Sequence, residues 1–572
     1  MTFIVKKKIN GKEYYYLRKS ERKEGKVRAV TIAYLGKTKK EAEKKKKQIE
    51  KQGLNKLSLL EKETSLNKEK TKIEEKNKMV EEKEQKELTI EDLASFCKRK
   101  GFVFRSSDIY GGMAGFWDFG PLGVELFSNI KREWMNFFVN SRENMEAIEA
   151  SIISHPRTWK ASGHISSFKD IAVTCKKCKK ATKIDVSEKG KVKCDCGGEY
   201  EEQGEFNLLF KTKVGALNAS DSYLRGETAQ GMFMDFKLVM ETARQKLPFG
   251  IAQIGRCFRN EIAPRDFLFR SREFNIGEFE FFIHPKETKC ELLSKNQLNV
   301  KMNFLDEETQ LKKSEELKPS SINDLLKKKK LGEWHAYWLA EQLIWFKEIG
   351  LKMENIKVRE HTKDELSHYS SATFDMDYLF PFGSSEIAGN ANRGQYDLIQ
   401  HAKESKQKME IFDEKSGEKI IPRVIEPTFG MERVFLAVIT DGYNFDKDRD
   451  NIVLKISPKL APYKAAILPI IKKGEQGKIA KEVYDDLRKD FHCYWDDGGS
   501  IGRRYSRQDE IGTPMCITID DDSIKNKTVT IRDRNTTKQI RVKIEDVKEV
   551  VEKVINGEDV LKLGKEVKTR IK

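Results

Sequence analysis

No apolar run in this 572-residue chain approaches the roughly 18 residues needed to cross a bilayer, so a membrane-spanning protein is not expected. The opening residues, MTFIVKKKING, lack the apolar stretch of a secretory signal, and the expected location is the cytoplasm. Nine cysteines at this length make no disulfide framework, and four of them cluster in a metal-like pattern. Glycine-rich phosphate loops are missing as well. No G-x-x-x-x-G-K-[ST] occurs, Gly36-Lys37-Thr38 has no upstream glycine, and no G-x-G-x-x-G follows a strand. Any site for a nucleotide must therefore grip phosphates with arginine, whose fork binds them bidentately and keeps its charge. No segment repeats at a fixed period.

Charge, by contrast, is plentiful and uneven. The net charge is +17 and the pI about 9.1. Residues 1–90 hold 27 Lys/Arg against 15 Asp/Glu, a net of +12, which leaves the rest of the chain close to balanced. Such an excess points to a polyanionic partner. Residues 1–37 read as a basic β appendage, with short strands around the Asn10-Gly11 and Glu24-Gly25 turn signals. Residues 38–88, rich in Lys, Glu and Gln and free of proline, read as a solvated helix or a linker. Globular composition starts near residue 89. Residues 286–330 turn lysine-rich and are expected to form a surface insertion, followed by an amphipathic helix over 333–350. After Asp450 come an apolar strand (NIVLKI), a proline-rich loop (SPKLAPYKAAILP), a helix (GKIAKEVYDDLRKD), a strand (FHCYWD), a helix-like stretch and another strand (PMCITID). That alternation suits a small α/β domain over 450–572.

The richest chemistry sits in FRNEIAPRDFLFRSREFNIGEFEFF, residues 258–282, where four arginines and five carboxylates lie among phenylalanines. Strand alternation puts Arg259 with Glu261. It also puts Arg270, Arg272, Phe274, Ile276, Glu278 and Glu280 on one face of a returning strand, with Phe279, Phe281 and Ile283 on the other. One face is then core-packed, while the other offers arginines for phosphate, an aromatic platform and carboxylates. This suits a triphosphate beside an ammonium group; the plainer reading is a salt-bridged surface hairpin.

FRNE, FRSREF and GEFE resemble motif 2 of the class II aminoacyl-tRNA synthetases, in its glycyl form. DIYGGMAGFWDFGPLGVELFSNIKREWMNFF (108–138) resembles the first block and motif 1 of that form. LRGETAQGMF (224–233) resembles its L-R-P-E-T-A-Q-G block and EPTFGMERV (426–434) its motif 3, while DDGGSIGRRYSRQDEIGTP (496–514) resembles its anticodon-binding domain. The resemblance implies an α/β (α+β) fold: a mixed, mainly antiparallel catalytic sheet flanked by helices over 89–449, then an α/β anticodon-binding domain. It implies that ATP, with Mg²⁺, activates glycine to glycyl-adenylate, that the glycyl group passes to the 3′ end of tRNA(Gly), and that the helix after Pro121 builds a homodimer.

Carried over, Arg259 holds the ATP α-phosphate and Arg433 the γ-phosphate end. Asn260, Glu261, Phe269, Arg270, Glu386, Ile387 and Gly430 fall near the nucleotide, whose adenine stacks on Phe274. Glu227, Glu278 and Glu426 match the glycine-pocket carboxylates, with Phe274, Thr428 and Gly430 beside them. Crowded carboxylates reward an ammonium, and steric closure rejects a Cβ. Two departures matter: Gly226 stands for the usual proline, loosening the loop that carries Glu227, and Thr428 for the frequent serine, adding a methyl. The rivals are a class II synthetase for another small amino acid, against which the three glutamates argue, and a non-catalytic nucleic-acid-binding relative, which predicts loss of Arg259 or Arg433.

Cys175-x-x-Cys178 and Cys194-x-Cys196 are separated by 15 residues, within a cysteine-rich insertion over 174–204. The spacing is close to that of a four-cysteine structural zinc site, though the second pair is C-x-C, and the intervening KATKIDVSEKGKVK reads as a short hairpin. Four thiolates leave no open position, so a catalytic zinc is not expected. Cys97, Cys257, Cys290, Cys493 and Cys516 read as ordinary thiols. His155 and His164 match a family segment beside the active site, with packing as the alternative. The basic strands carrying Tyr14, Tyr15 and Tyr16 read as a nucleic-acid-binding arm, against a solubilising tail.

Overall fold

A computed structural model describes residues 2–9, 12–23, 26–52, 88–184, 192–367 and 369–567 of the protein. The chain divides into two units, Met1–Glu87 and Leu88–Lys572. In the first, β1 (Thr2–Ile9), β2 (Lys12–Lys23) and β3 (Lys26–Gly36) form an antiparallel sheet in the order β1-β2-β3. These strands are longer than the sequence reading expected; its two turn signals lie outside the described residues. Helix α1 (Lys39–Gln52) covers one sheet face, where Tyr15, Leu17, Leu35 and Ala42 are buried. The remainder of the Lys/Glu-rich stretch, residues 53–87, also lies outside the described residues.

The larger unit is built on a nine-stranded sheet. Its strands are β4 (Met145–Ala147), β5 (Phe249–Phe258), β6 (Glu273–Ile283), β7 (Lys301–Leu305), β8 (Lys318–Ser321), β9 (Ile356–Glu360), β10 (Ala372–Phe380), β11 (Gly383–Gly394) and β12 (Arg423–Gly430). They run in the order β8-β7-β9-β10-β11-β12-β6-β5-β4, antiparallel except for β7 with β9 and β5 with β4. The mixed, mainly antiparallel sheet expected for the catalytic core is therefore present. Its alternation is as predicted in β6. Phe279 and Phe281 pack against Trp338 at 4.6 and 4.8 Å between ring centroids, while Phe282, on the other face with Glu278 and Glu280, packs against Phe236 at 4.4 Å.

Trp338 belongs to the helix Glu333–Glu348, which is buried nearly all round, with Trp334, Tyr337, Leu339, Trp345 and Phe346 inside. The sequence reading expected an amphipathic helix; instead the helix is buried on nearly all sides and lies under the sheet, in contact with β11 and β12. The lysine-rich segment 286–330 also differs from a surface insertion. Its Met302, Phe304, Leu305, Ile322 and Leu325 belong to the main core, because β7 and β8 extend the sheet.

Two further helices pack on the sheet: Ala229–Thr242 against β5 and β6, and Met431–Gly442, which continues directly from β12, against β6, β10, β11 and β12. At the C-terminal end, a six-stranded sheet runs Cys493–Trp495, Ala465–Pro469, Met515–Ile519, Thr528–Asp533, Gln539–Lys543, Lys565–Val567 in spatial order, its first three strands parallel and the rest antiparallel. The strand Ala465–Pro469 lies inside the stretch expected to be a proline-rich loop. The expected boundary at 449/450 falls between the two strands of a hairpin, Tyr443–Asp446 with Asn451–Leu454. Leu454, Ile456, Leu460 and Ala461 complete the main core, and Asn129 donates to the carbonyls of Leu460 and Ala461, both at 3.1 Å. The separate C-terminal core begins only at Ala465.

Candidate active site

Strand register brings together acids far apart in sequence. Glu278 on β6 faces Gln253 on one side and Thr428 on the other, and Glu426 on β12 faces Ala391 on β11. Carboxylate oxygens of Glu278, Glu280 and Glu426, all buried, lie within 4.8 Å of one another. Glu278 accepts hydrogen bonds from the Thr228 amide at 2.7 Å, from the Thr228 hydroxyl, and from the Thr428 hydroxyl at 3.3 Å. Both oxygens of Glu280 lack a hydrogen-bond partner.

The main cation among these acids is Arg393, fully enclosed beneath the pocket. Its guanidinium clasps Asp397 (2.8 and 2.9 Å), donates to Glu426 (2.6 Å) and approaches Glu227 (3.9 Å), with Tyr369 stacked 3.9 Å away. Glu227 accepts from Gln230 at 2.8 Å and meets His164 Nε2 at 3.2 Å. His164 is held between the rings of Trp159 and Phe168, and its other nitrogen pairs with Ser162 at 2.8 Å. Burial opposes ionisation of Glu227, but His164 and Arg393 hold its carboxyl below the usual range. The others go the opposite way. Burial and the neighbouring Glu227 raise Glu278, and burial and Glu426 push Glu280 far up. Burial, partly offset by Arg393 and reinforced by Glu278, Glu227 and Asp397, pushes Glu426 to about 8. One arginine cannot neutralise so many acids, so protonation does the rest; the pocket is poised to accept a cation.

Next to this pocket opens a cleft of about 650 Å³ lined by Arg259, Glu261, Phe269, Arg270, Phe274, Glu386, Thr428, Gly430 and Arg433. Arg259 follows the end of β5. Its Nε donates to the Gly226 carbonyl at 3.1 Å, and its guanidinium sits over Phe168 and Phe274 at 5.3 and 5.4 Å. Arg433, on the first turn after β12, donates to the Glu386 carbonyl at 2.9 Å, pairs with the Glu386 carboxylate at 3.2 Å and lies over Phe269 at 4.5 Å. Glu261 keeps one buried oxygen unpartnered in the cleft. Thr428 joins the two environments, lining the cleft while bonding Glu278. An anion-gripping cleft thus adjoins a cation-accepting pocket.

Of the predicted residues, Asn260 and Ile387 do not line the cleft. Asn260 is tied by its amide to the Leu208 carbonyl at 2.8 Å, and Ile387 is fully buried in the core. Arg272, placed by alternation beside Phe274, precedes β6 and is spent on the carbonyls of Glu261 (2.9 Å) and Ala114 (3.1 Å). Arg265 is exposed and pairs with Asp266 at 3.4 Å, on a loop where Asp266 and Phe267 both take left-handed conformations. His155 caps the helix Pro156–Ala161 through its Nδ1, whereas His164 touches Glu227. Sequence reasoning put Glu280 on the functional face without giving it a role, and missed Arg393, Asp397 and Glu432. Glu432 accepts from the Asn275 amide (2.7 Å) and side chain (2.8 Å), bracing the strand that carries Phe274. An i, i+4 Arg–Asp pair in NRGQYD was the available signal for the first two.

The cysteine-rich segment folds as a three-stranded ribbon of Lys169–Cys175, Ala181–Ile184 and Tyr200–Asn207; residues 185–191 of the expected hairpin lie outside the described residues. All four thiols converge, with Sγ–Sγ distances of 3.4 Å for Cys175–Cys196 and 3.6 Å for Cys178–Cys194. The C-x-C pair works because the turn closes through Gly197, whose φ is +75°, and Gly198, where a Cβ would meet Cys175 Sγ at 2.7 Å. The remaining cysteines, Cys97, Cys257, Cys290, Cys493 and Cys516, are all buried.

Comparison with known proteins agrees with this geometry. Residues 464–554 match the family described as anticodon binding domain. The chain is 43% identical to glycine–tRNA ligase of Borrelia hermsii, over 80% of this chain and 96% of that protein. It is 41% identical to glycine–tRNA ligase of Geobacillus thermodenitrificans, over 83% of this chain and 99% of that one. With its catalytic sheet, its paired cleft and pocket and its C-terminal module all in the expected order, the chain belongs to the glycine–tRNA ligase family.

Proposed function

We propose that the protein joins glycine to tRNA(Gly) at this site. Glycine and ATP give glycyl-adenylate and pyrophosphate, and the glycyl group then moves to the 3′ end of the tRNA. The observation that carries this reading is the adjacency of the carboxylate pocket and the arginine cleft across Thr428. The ammonium of glycine enters among Glu227, Glu278 and Glu426; burial among like charges raises Glu278 and pushes Glu426 to about 8, and an arriving cation reverses that balance. The Thr428 methyl limits the space beside the α-carbon, so discrimination against alanine is steric.

In the cleft the base stacks on Phe274, with Glu261, Phe269, Arg270 and Gly430 around the nucleotide. A carboxylate oxygen of glycine attacks the α-phosphorus and pyrophosphate departs. Arg259 stabilises the charge at the reacting phosphate and Arg433 that of the leaving end. Mg²⁺ supplies further charge neutralisation on the phosphates, with Glu386 as the side chain available to hold it. No general base is required in activation, because the attacking carboxylate is already ionised. In transfer, the departing phosphate can take the proton of the tRNA hydroxyl.

The cysteine cluster suits structural Zn²⁺: tetrahedral Zn–S bonds of about 2.3 Å place sulfurs ~3.8 Å apart, near the 3.4 and 3.6 Å found without metal. The helix Pro121–Met135 and the segment before it expose Ile109, Tyr110, Met113 and Val124, an apolar strip that supports a homodimer. We assign the catalytic domain from about residue 89 to Ala461 and the anticodon-binding domain from Lys464 onward, and place the enzyme in the cytoplasm. Among the described residues no helix is long and apolar enough to cross a membrane. ATP–pyrophosphate exchange with each amino acid in turn tests the reading: exchange with glycine alone is expected. Exchange with alanine or serine but not glycine overturns it, and no exchange with anything favours a binding-only protein.

A further inference from the structure

The N-terminal sheet has one covered and one open face. Tyr15 and Leu17 of β2 point to α1 and are buried, so Tyr15 cannot serve as the contact residue the sequence reading made it. Its neighbours Tyr14, Tyr16 and Arg18 point the other way. Register sets Lys7 beside Tyr14, Phe3 beside Arg18 and Tyr34 beside Tyr16. Tyr34 is 46% exposed and Phe3 38%. The rings of Tyr16 and Tyr34 lie 5.4 Å apart and those of Tyr14 and Tyr34 6.3 Å, a tilted cluster with the Lys7 ammonium 5.9 Å above Tyr16. Glu13, the acid nearest in sequence, lies toward the covered face, where the Tyr15 hydroxyl bonds it.

We propose that this open face binds RNA, with unpaired bases of the tRNA substrate stacking on Tyr16 and Tyr34 and its phosphates meeting Lys7. Aromatic rings flanked by cations on a sheet match what single-stranded nucleic acid offers, π-faces and a phosphodiester chain together. Among the described residues, the rings on this face lie beside cations, Lys7 with Tyr14 and Tyr16 and Arg18 with Phe3, which suits an aliphatic protein partner poorly. The charge agrees: residues 1–36 carry 10 Lys/Arg and 3 Asp/Glu. The choice of tRNA as the RNA rests on the proposed function, whereas stacking by the face does not.

The test uses the full chain with Tyr16→Ala/Tyr34→Ala as one variant and Lys7→Glu as another. Direct binding of tRNA(Gly) is measured by filter retention over a range of salt. Loss of two stacking platforms is expected to raise Kd by about tenfold or more, and Lys7→Glu to weaken binding and flatten the salt dependence by about one phosphate contact. ATP–pyrophosphate exchange, which needs no tRNA, should be unchanged in both, so failure of the glycine assignment and failure of this one are read in separate assays. Unchanged tRNA affinity and salt slope in both variants would overturn the proposal and leave a solubilising appendage. Duplex DNA binding as tightly as tRNA, with equal loss in the variants, would overturn the stacking of unpaired bases.

Discussion

The sharpest prediction concerns Glu280, whose carboxyl is completely buried with neither oxygen hydrogen-bonded. The groups facing it are Glu278 on its own strand, Glu426 on β12, Arg393 on β11 and Asp397 beyond it. An ionised carboxylate in such a place costs several kcal/mol; burial and then Glu426 push its pKa far up, and Arg393 only partly offsets them. The folded protein therefore holds a proton that the unfolded chain releases above about pH 4.3. Because the folded pKa is raised, the stability linked to this proton is present in full below the unfolded pKa and is lost as pH rises. Its slope is about 1.4 kcal/mol per pH unit. Glu280→Gln is nearly isosteric with the neutral acid and has no proton to lose. Near pH 4 the two proteins should differ by no more than about 1 kcal/mol, and above about pH 4.3 the variant should gain on wild type by about 1.4 kcal/mol per pH unit until the buried Glu280 carboxyl itself ionises. Glu278 and Glu426 contribute to both proteins, so the difference isolates Glu280. A new hydrogen bond from the Gln amide to Glu426 would favour the Glu426 carboxylate and move the difference in the same direction. Urea unfolding followed by tryptophan fluorescence reads the right body, since Trp134, Trp334, Trp338 and Trp345 all sit in the catalytic core. A stability difference independent of pH, or one moving against the variant as pH rises, would refute the neutral-acid reasoning.

Other consequences can be checked alongside. Arg259→Ala and Arg433→Ala should each cut the rate of glycine-dependent pyrophosphate exchange by about 10²–10³, with the urea midpoint little changed, since both side chains border the cleft. Thr428→Ser removes one methyl at the pocket mouth, and discrimination against alanine in the same assay should fall by about tenfold. His164→Phe keeps a ring between Trp159 and Phe168 but removes the partner of Glu227; since that partner holds Glu227 down, the acid limb of kcat/KM for glycine should move to higher pH. Cys178→Ser should reduce metal from about one zinc per chain to none by elemental analysis, with pyrophosphate exchange retained because the cluster lies apart from the cleft-lining residues.

How much of this was legible in sequence depended on distance along the chain. The alternation of FNIGEFEFFI could be read locally, and it sorted Phe279 and Phe281 from Glu278 because a strand's two faces are set by neighbours two apart. The Cys cluster was legible for a similar reason, its spacing being short and its chemistry restrictive. The burial of Glu333–Glu348 was not, since composition records apolar faces but not that the sheet will cover one side and the segments Lys295–Leu298 and Ile322–Lys327 another. Lysine density in 286–330 misled for a related cause: exposed lysines outnumber the few alternating residues, such as Met302 and Phe304, that fix the segment into the sheet. The electrostatics of the pocket were the least legible. Arg393 meets Glu227, which is 166 residues away in sequence, and Glu426, 33 away, and Thr228 meets Glu278 across 50. Nothing local to NANRGQYD says that its arginine will be the main cation among so many acids. That imbalance is nevertheless the chemically decisive feature, because a pocket with surplus carboxyls held neutral by burial discriminates by charge before it discriminates by shape. A larger amino acid carries the same ammonium, so charge draws in every α-amino acid alike, and rejection of all but the smallest must fall to the space around Thr428. Changing the acids should therefore alter affinity for glycine without admitting alanine, and changing Thr428 should do the reverse.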